Sequence, residues 1–449
     1  MDCNAQLAAL PAGAPDDVER LYQAGYFAAA ERRIGALLAE DRLPPMAKAA
    51  LQARAEQMRR LPENYPYTRA AALERLRREV PDFTEAEFDA LVDSGHIDWR
   101  FIEGEPHYQE RFAETLAIYP ALNARGFAAD PPSDLRARTV QQLRAAGRLQ
   151  AEITLRLTLA PAQPAAPETP VQAWLPFPAA CPEQSHIELL DATPGGTLAP
   201  DDAPQRTIFW QGTAAQAPFS VTFRYRFRTV WHDLEAAAAV PEADPAVGFL
   251  EEEAPHIQFT PWLRDLCAQI TAGCGDPLAR ARAIYDYVTR HTSYRYQPAY
   301  ICHDSIADGC ARNGWGDCGV MALLFITLCR LAGVPARWQS GLSVTPDHAG
   351  CHDWAQFYLT GYGWLWADCS FGAGAHRRGD EALRRHYFGN LDPMRMVANR
   401  RCFAQLTPPC EAWRDDPYDN QTGELVLDGR PLHGAARLHT SEVLDFKLL

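Results

Sequence analysis

Residues 314–341 read GWGDCGVMALLFITLCRLAGVPARWQSG, and this stretch decides the fold class. Two glycines and Asp317 precede a strongly apolar run that ends at Gly333 and Pro335, a pattern typical of a buried helix with a defined start and stop. Cys318 therefore falls in the first turn of that helix. Because unpaired N–H groups and the positive end of the helix dipole stabilise a thiolate, the sequence predicts a lowered pKa for the Cys318 thiol.

Two strands with chemically active side chains follow the predicted helix. The first reads HDWAQFYL and begins at His352, and the second reads GWLWADCS and contains Asp368. A three-residue loop at 359–361 would set His352 directly opposite Asp368, within reach of a carboxylate–imidazole hydrogen bond. A two-residue loop would put the two side chains on opposite faces of the hairpin.

A thiol at a helix start, with a histidine and an aspartate on neighbouring strands, is the set of groups that nucleophilic acyl transfer requires. Cys318 would attack a carboxamide carbon, His352 would take the thiol proton and later protonate the leaving amine, and Asp368 would orient the imidazole. The backbone N–H of Cys318 and one upstream donor would hold the oxyanion. Three residues are candidates for that donor or for substrate binding: Trp315, Tyr294 and Asn313.

These motifs resemble the transglutaminase-like superfamily, whose pattern is C-G, a helix, G-[IV]-P-A-R, H-x-W and D-x-[ST]. The order agrees, and the close match runs from Asp276 to about Gly372. The resemblance implies an α+β papain-like core with an antiparallel sheet, in which Cys318 is the nucleophile, His352 the base and Asp368 the orienting acid. It implies no dissociable cofactor.

The sequence departs from the family pattern at two places beside these groups. Gln356 stands where the family often has glutamate, and Cys369 stands where it often has proline. Neither change removes one of the three catalytic groups. Since one fold hosts more than one activity, the resemblance implies a hydrolytic peptidase or amidase first, with protein-glutamine transamidation or an inactive binding scaffold as alternatives.

The pattern of apolar residues divides the chain into three segments. Residues 1–147 show helical spacing, including a capping box at Thr84–Glu87, and predict an α-helical domain. Residues 148–250 alternate apolar and polar side chains in short runs, which predicts a β-sandwich domain and a linker. Residues 251–449 hold the transglutaminase-like core and a C-terminal extension. The helical domain could shield the cleft, bind a protein partner or form a dimer.

Composition and charge exclude several classes of protein. The 449 residues include 47% hydrophobic and 22% charged side chains, which excludes extended disorder. A net charge of −14 opposes binding to a phosphate backbone, so we expect no nucleic acid partner. The family resemblance implies a peptide or protein substrate. No apolar run reaches the ~18 residues of a membrane span, and no secretory signal is visible, so we expect a cytoplasmic protein without membrane contact.

A metal site is the rival interpretation of the same segments. Eight residues there could ligate zinc: Cys302, His303, Asp304, Cys310, His348, Cys351, His352 and Cys369. Their intervals match no regular zinc-finger spacing, and ligation by His352 would remove the base, so we expect no metal. The acidic stretch 416–424 lacks the order of an EF-hand loop and predicts a turn before the strand ELVLD.

Overall fold

Helices dominate the N-terminal part of the computed structural model, which describes residues 3–40, 42–127 and 134–449. The helices in this part are α1 (Cys3–Ala8), α2 (Asp16–Gln23), α3 (Phe27–Leu38), α4 (Pro45–Asn64), α5 (Arg69–Glu79), α6 (Glu85–Asp93), α7 (Phe112–Ala117), α8 (Pro120–Asn123) and α9 (Leu135–Ala146). A small antiparallel sheet lies among them, with strands β1 (Tyr67–Thr68), β2 (Trp99–Ile102) and β3 (Glu105–Tyr108).

The capping box predicted before α6 is present. Thr84 Oγ1 accepts a hydrogen bond from the Glu87 N–H at 3.2 Å, and the Glu87 carboxylate accepts one from the Thr84 N–H at 2.8 Å. Both groups satisfy N–H donors that the helix itself leaves without partners, which is why the helix begins there.

Strands occupy the middle of the chain, as the alternating pattern predicts. They are β4 (Arg148–Pro161), β5 (Pro170–Pro176), β6 (Gln184–Ala192), β7 (Thr197–Leu198), β8 (Thr207–Thr213) and β9 (Phe219–Val230). They belong to two antiparallel sheets whose apolar faces share one core. Phe177 packs on Phe223 with ring centroids 5.3 Å apart, and Trp210 packs on Phe219 at 5.5 Å.

The C-terminal strands complete these two sheets. They are β16 (Glu424–Leu427), β17 (Arg430–Pro431) and β18 (Arg437–Leu448). The strand orders are β17-β16-β5-β8-β7 and β18-β4-β9-β6. The ladder between β18 and β4 runs from the Arg437–Pro161 pair to the Leu448–Ala151 pair. The tail expected as an extension of the core therefore pairs with the middle segment, whereas the domain boundaries at residues 147 and 250 stay predictions.

The core between β9 and β16 combines helices with an antiparallel sheet. Its helices are α10 (Pro261–Ile270), α11 (Pro277–His291), α12 (Ile306–Asn313), α13 (Cys318–Leu331), α14 (Cys369–Arg377) and α15 (Glu381–His386). Its strands are β10 (Ser293–Tyr294), β11 (Trp315–Gly316), β12 (Ala336–Val344), β13 (Ala349–Leu359), β14 (Gly363–Ala367) and β15 (Arg395–Asn399). The main sheet has the order β14-β13-β12-β15, and α13 packs against it with every residue from Gly319 to Arg330 buried.

The β13–β14 hairpin differs from the predicted register by two residues. Leu359 pairs with Gly363, so the loop is one residue later than expected, and both Gly361 and Gly363 have positive φ angles. A shift of two residues keeps every side chain on its predicted face, because side chains alternate with a period of two. His352 and Asp368 consequently remain on the same face, although they are not directly opposite each other.

Within the described ranges, no helix is both long and apolar enough to cross a membrane.

Candidate active site

Cys318 is the first residue of α13. Asp317 is the N-cap, and its carboxylate accepts a hydrogen bond from the Val320 N–H at 3.1 Å. The parallel pair β10–β11 sets Tyr294 beside Gly316, just before the helix. Cys318 is partly exposed, in contrast to the rest of this buried helix. The predicted position of the thiol in the first helical turn is confirmed.

His352 and Asp368 form a buried hydrogen bond. His352 Nε2 lies 2.7 Å from Asp368 Oδ2, and the two residues are 4% and 0% exposed. The imidazole also stacks on the Phe371 ring, with centroids 4.2 Å apart and an interplanar angle of 23°. Since Nε2 faces the carboxylate, Nδ1 is the ring nitrogen left for proton exchange with a substrate or a thiol.

Asp368 is ionised in this environment. Burial opposes its charge, but the charges of His352 and Arg395 outweigh that effect and lower the pKa of Asp368 to about 2. Its second oxygen, Oδ1, accepts from the Phe371 N–H at 3.0 Å at the start of α14. Burial is the main cause of a lowered pKa for His352, partly offset by Asp368. A neutral imidazole held by an ionised carboxylate is thus the resting state of the pair.

The thiol of Cys318 donates its hydrogen bond to Asp353, with Sγ 3.2 Å from Oδ2. Burial raises the pKa of the Cys318 thiol well above its usual range, and the charges of Asp353 and Asp317 raise it further. The prediction of a lowered thiol pKa is therefore wrong for this arrangement. The N-terminal dipole of α13 is present, but two carboxyl groups beside the sulfur oppose it.

Further acids from distant parts of the chain surround Asp353. Burial and the charge of Asp317 raise the pKa of Asp353 to about 7, and burial raises that of Asp317 to about 6. Tyr300 donates its hydroxyl proton to Asp317 Oδ1 at 2.6 Å. Gln421 donates to Asp353 Oδ1 at 2.6 Å, and Asp419 also contacts the Asp353 carboxyl. Sequence reasoning missed this cluster, because its acids are not close together in the chain.

Replacement of Asp353 by asparagine is expected to accelerate alkylation of Cys318 about tenfold at pH 8, since a like charge in contact shifts a pKa by about 1–3 units. Asp353 titrates with a pKa of about 7, so it is charged at pH 8 and neutral well below pH 7. The difference between the variant and the wild type should therefore disappear near pH 5.5. Iodoacetamide kinetics with mass spectrometry of the Cys318 peptide measure both rates.

Asp347→Asn is the matched control for this prediction. Asp347 lies exposed in the turn between β12 and β13, where its carboxylate accepts from Thr345 Oγ1 at 2.8 Å. Alkylation of Cys318 should not change in this variant. Equal rates for Asp353→Asn and the wild type at pH 8 would contradict the role given to Asp353.

The three proposed oxyanion or substrate-binding residues lie in different surroundings. Tyr294 is close enough for the charge of Cys318 to raise its pKa, although burial is the larger cause. Trp315 packs against His96 of the helical segment, residues 1–147, with ring centroids 5.1 Å apart. Asn313 is exposed at the last turn of α12. Tyr294 is thus the candidate that interacts electrostatically with Cys318, while the roles of all three stay predictions.

The eight residues considered for the rival zinc interpretation do not form a common metal-binding group within the described ranges. Across the described ranges, no group of three or more His, Cys, Asp or Glu side chains is arranged to hold a metal ion. His303 is partly buried, and loss of solvation lowers its pKa to about 4. The acidic stretch from Asp416 instead supplies Asp419, which contacts Asp353 of β13, and β16 begins after the stretch at Glu424, as predicted.

Comparisons with solved structures find matches of low sequence identity. A structure from Cytophaga hutchinsonii, described as a candidate cysteine protease, is 14% identical with a TM-score of 0.40 and covers 67% of this chain and 90% of that chain. The periplasmic domain of TgpA from Pseudomonas aeruginosa is 15% identical with a TM-score of 0.28 and covers 56% of this chain and 96% of that chain. No curated protein matches the chain.

The sequence model of the Transglutaminase-like superfamily matches residues 264–369. This stretch runs from α10 to the first residue of α14 and includes the thiol, the imidazole and the buried carboxylate described above. The chain thus carries, at residues 264–369, a core that belongs to the transglutaminase-like superfamily.

Proposed function

We propose that this protein hydrolyses carboxamide or peptide bonds through a covalent thioester on Cys318. The observation that carries the proposal is the buried hydrogen bond of 2.7 Å between His352 and Asp368. His352 lies in β13, and the next residue of that strand, Asp353, accepts the hydrogen bond of the Cys318 thiol. An imidazole fixed by a carboxylate at one nitrogen is suited to shuttle a proton at the other. Membership of the core in the transglutaminase-like superfamily supports the same chemistry.

The first chemical step transfers the thiol proton to His352. In the resting arrangement the thiol donates its hydrogen bond to Asp353. When substrate enters, the side chain of Cys318 turns away from Asp353 and toward Nδ1 of His352. The sulfur then forms a bond to the amide carbon, and the carbonyl electron pair moves onto oxygen. The N–H of Cys318 and the hydroxyl of Tyr294 are the proposed donors to this oxyanion.

The reaction then proceeds in two stages. In the first, the oxyanion electron pair re-forms the carbonyl, the C–N bond breaks, and the amine leaves with the proton that His352 received from the thiol. In the second, water gives a proton to His352 and attacks the thioester carbon to form a second tetrahedral intermediate; its carbonyl re-forms as the C–S bond breaks, and the proton returns from His352 to sulfur. Asp368 stays ionised throughout and stabilises the imidazolium that forms in each stage.

Water is proposed as the second nucleophile because the helical segment lies over one side of the site. Tyr119 donates its hydroxyl to the Tyr294 carbonyl at 2.5 Å, and the Tyr296 N–H donates to Thr115 Oγ1 at 3.2 Å. These contacts hold the helical segment against Tyr294, which β10 sets beside Gly316 just before Cys318. A water molecule needs less room than a lysine side chain presented by a second protein.

Proton transfer from Cys318 to His352 has a direct test in alkylation kinetics. At pH 7 we expect Cys318 to react with iodoacetamide at least about tenfold more slowly in His352→Ala than in the wild type, because the thiolate forms only by proton transfer to the imidazole. Cys274, which is partly exposed and distant from the site in the chain, is the internal reference for reagent activity. Identical Cys318 rates in the two proteins would overturn the proposal.

Product analysis separates hydrolysis from transamidation. One observation favours transamidation: two acids, Asp317 and Asp353, act on the thiol and could attract an amine. Hydrolysis in H₂¹⁸O places ¹⁸O in the product carboxylate, whereas transamidation attaches an added amine such as a fluorescent alkylamine. Absence of both products from a broad peptide mixture, together with an unreactive thiol, would favour the binding scaffold.

A peptide or protein substrate, a protein partner for the helical segment and a cytoplasmic location remain proposals for this protein.

A further inference from the structure

A buried ionic network extends behind the His352–Asp368 pair. Arg395 Nη1 donates to Asp368 Oδ2 at 2.8 Å, and Arg395 Nη2 donates to Asp392 Oδ2 at 2.9 Å. The side chains of Arg395, Asp368 and Asp392 are all 0% exposed. Tyr387 donates its hydroxyl to Asp392 at 3.0 Å. The carboxylate that orients the imidazole is therefore itself held by a guanidinium with no access to water.

Arg136 brings the helical segment into this network. It lies in α9, and its Nη1 donates to Asp392 Oδ2 at 3.1 Å, while Nη2 donates to Ser343 Oγ of β12. The Arg136 side chain is 23% exposed, so its charge is largely removed from water. Asp392 thus joins one arginine from the core and one from the N-terminal segment.

A second path leads from Arg136 to His352 through an aromatic ring. The guanidinium carbon of Arg136 lies 4.6 Å from the Phe371 ring centroid, and that of Arg395 lies 4.7 Å from it. The same ring stacks on His352 at 4.2 Å. Cation–ring contacts of this kind restrict both the ring and the guanidinium. Arg136 therefore acts on the imidazole through a ring contact as well as through Asp392.

We propose that Arg136 is a positioning residue for the His352–Asp368 pair, so that α9 of the helical segment is part of the active site. The inference rests on the proposed function. Asp392 shares its charge between Arg136 and Arg395, so loss of Arg136 leaves Asp392 to draw Arg395 away from Asp368. The Phe371 ring loses one of the groups that hold it against the imidazole. Both effects loosen the geometry on which proton transfer depends.

Three variants of α9 test the proposal. Arg136→Met keeps a long apolar side chain and removes the charge, Arg136→Lys keeps the charge, and Arg138→Met is the matched control. Arg138 lies two residues away, is 64% exposed and contacts Asp134 of its own helix at 3.0 Å. We expect His352-dependent alkylation of Cys318 at pH 7 to fall about tenfold in Arg136→Met, to recover in part in Arg136→Lys and to stay unchanged in Arg138→Met.

The pH profile separates positioning from loss of folded protein. Asp368, Arg395 and Arg136 are the charged groups that act on His352, and the two arginines lower its pKa. Removal of Arg136 should therefore raise the pKa of His352 and move the basic limb of the alkylation profile to higher pH. In a proton NMR spectrum, the downfield resonance of the imidazole N–H should shift or exchange faster with water. A smaller folded fraction would reduce the amplitude of alkylation without moving the profile.

The outcomes distinguish the inference from the proposed function. If wild-type Cys318 reacts independently of His352, the proposed function fails. If the wild type depends on His352 and Arg136→Met has the same rate and pH profile as Arg138→Met, the proposed function stands and the role of Arg136 is overturned.

Discussion

Replacement of Cys318 by alanine is expected to lower the rate of amide hydrolysis by at least about 10³-fold, because no other group supplies the nucleophile. The free energy of unfolding should change by less than about 1 kcal/mol, since the residue is partly exposed at a helix start and the change removes one sulfur atom. Asp353 keeps its hydrogen bond from Gln421 in the variant. Turnover of a peptide mixture, followed by mass spectrometry, and thermal unfolding measure the two quantities.

Cys329→Ala is the matched control in the same helix. Cys329 is 0% exposed in the core, so its truncation should lower stability by about 1–2 kcal/mol and leave turnover nearly unchanged. We therefore expect Cys318→Ala to lose activity and keep its stability, and Cys329→Ala to keep its activity and lose stability. Turnover by Cys318→Ala at the wild-type rate would exclude the thioester mechanism.

Arg395→Met is expected to lower the free energy of unfolding by about 3–5 kcal/mol, the usual cost of removing one partner from a buried ionic network. Methionine fills much of the space but leaves Asp368 and Asp392 as buried carboxylates with fewer partners. Because Arg395 touches both, the effect should exceed that of any single exposed ion pair. Urea unfolding at pH 7 measures the loss.

The destabilisation of Arg395→Met should depend on pH. In the wild type the pKa of Asp368 is about 2, so its contribution to stability is present above the unfolded value near 3.8 and is lost as the pH falls toward 2. In the variant both carboxylates take up protons at higher pH, which relieves the unpaired charge. The difference between variant and wild type should therefore be largest above pH 5 and smallest near pH 2.

Arg385→Met provides the comparison for an exposed pair. Arg385 contacts Glu235 at 2.7 Å, but the two side chains are 51% and 58% exposed. Its removal should cost less than about 1 kcal/mol. A loss of similar size in Arg395→Met would mean that the buried network contributes little to stability.

The sequence predicts those parts of the site whose determinants lie close together in the chain. The start of α13 is one case, because the cap at Asp317, the preceding glycines and the apolar run occupy neighbouring positions. The His352–Asp368 contact is another, although the loop at 360–362 lies one residue later than predicted. The error leaves the contact intact because the register shift is even.

Other features depend on contacts between distant segments and leave no local pattern. In the sequence, Asp353 is only the middle residue of the H-x-W motif, yet its carboxyl accepts the hydrogen bond of the Cys318 thiol. Arg136 and Gln421 reach the site from opposite sides of the core sequence. Such contacts contribute to the raised pKa of Cys318, so a rule based on helix position alone gives the wrong direction for the pKa shift.

The long ladder between β18 and β4 sets the order in which the protein can fold during synthesis. Ala151 pairs with Leu448, so the outer edge of β4 stays open until residues 437–448 have left the ribosome. Until then the nascent chain exposes a strand of fourteen residues with unpaired N–H and C=O groups along one edge. Translation of the whole transglutaminase-like core falls within this interval, during which the open edge of β4 can pair with a non-native strand.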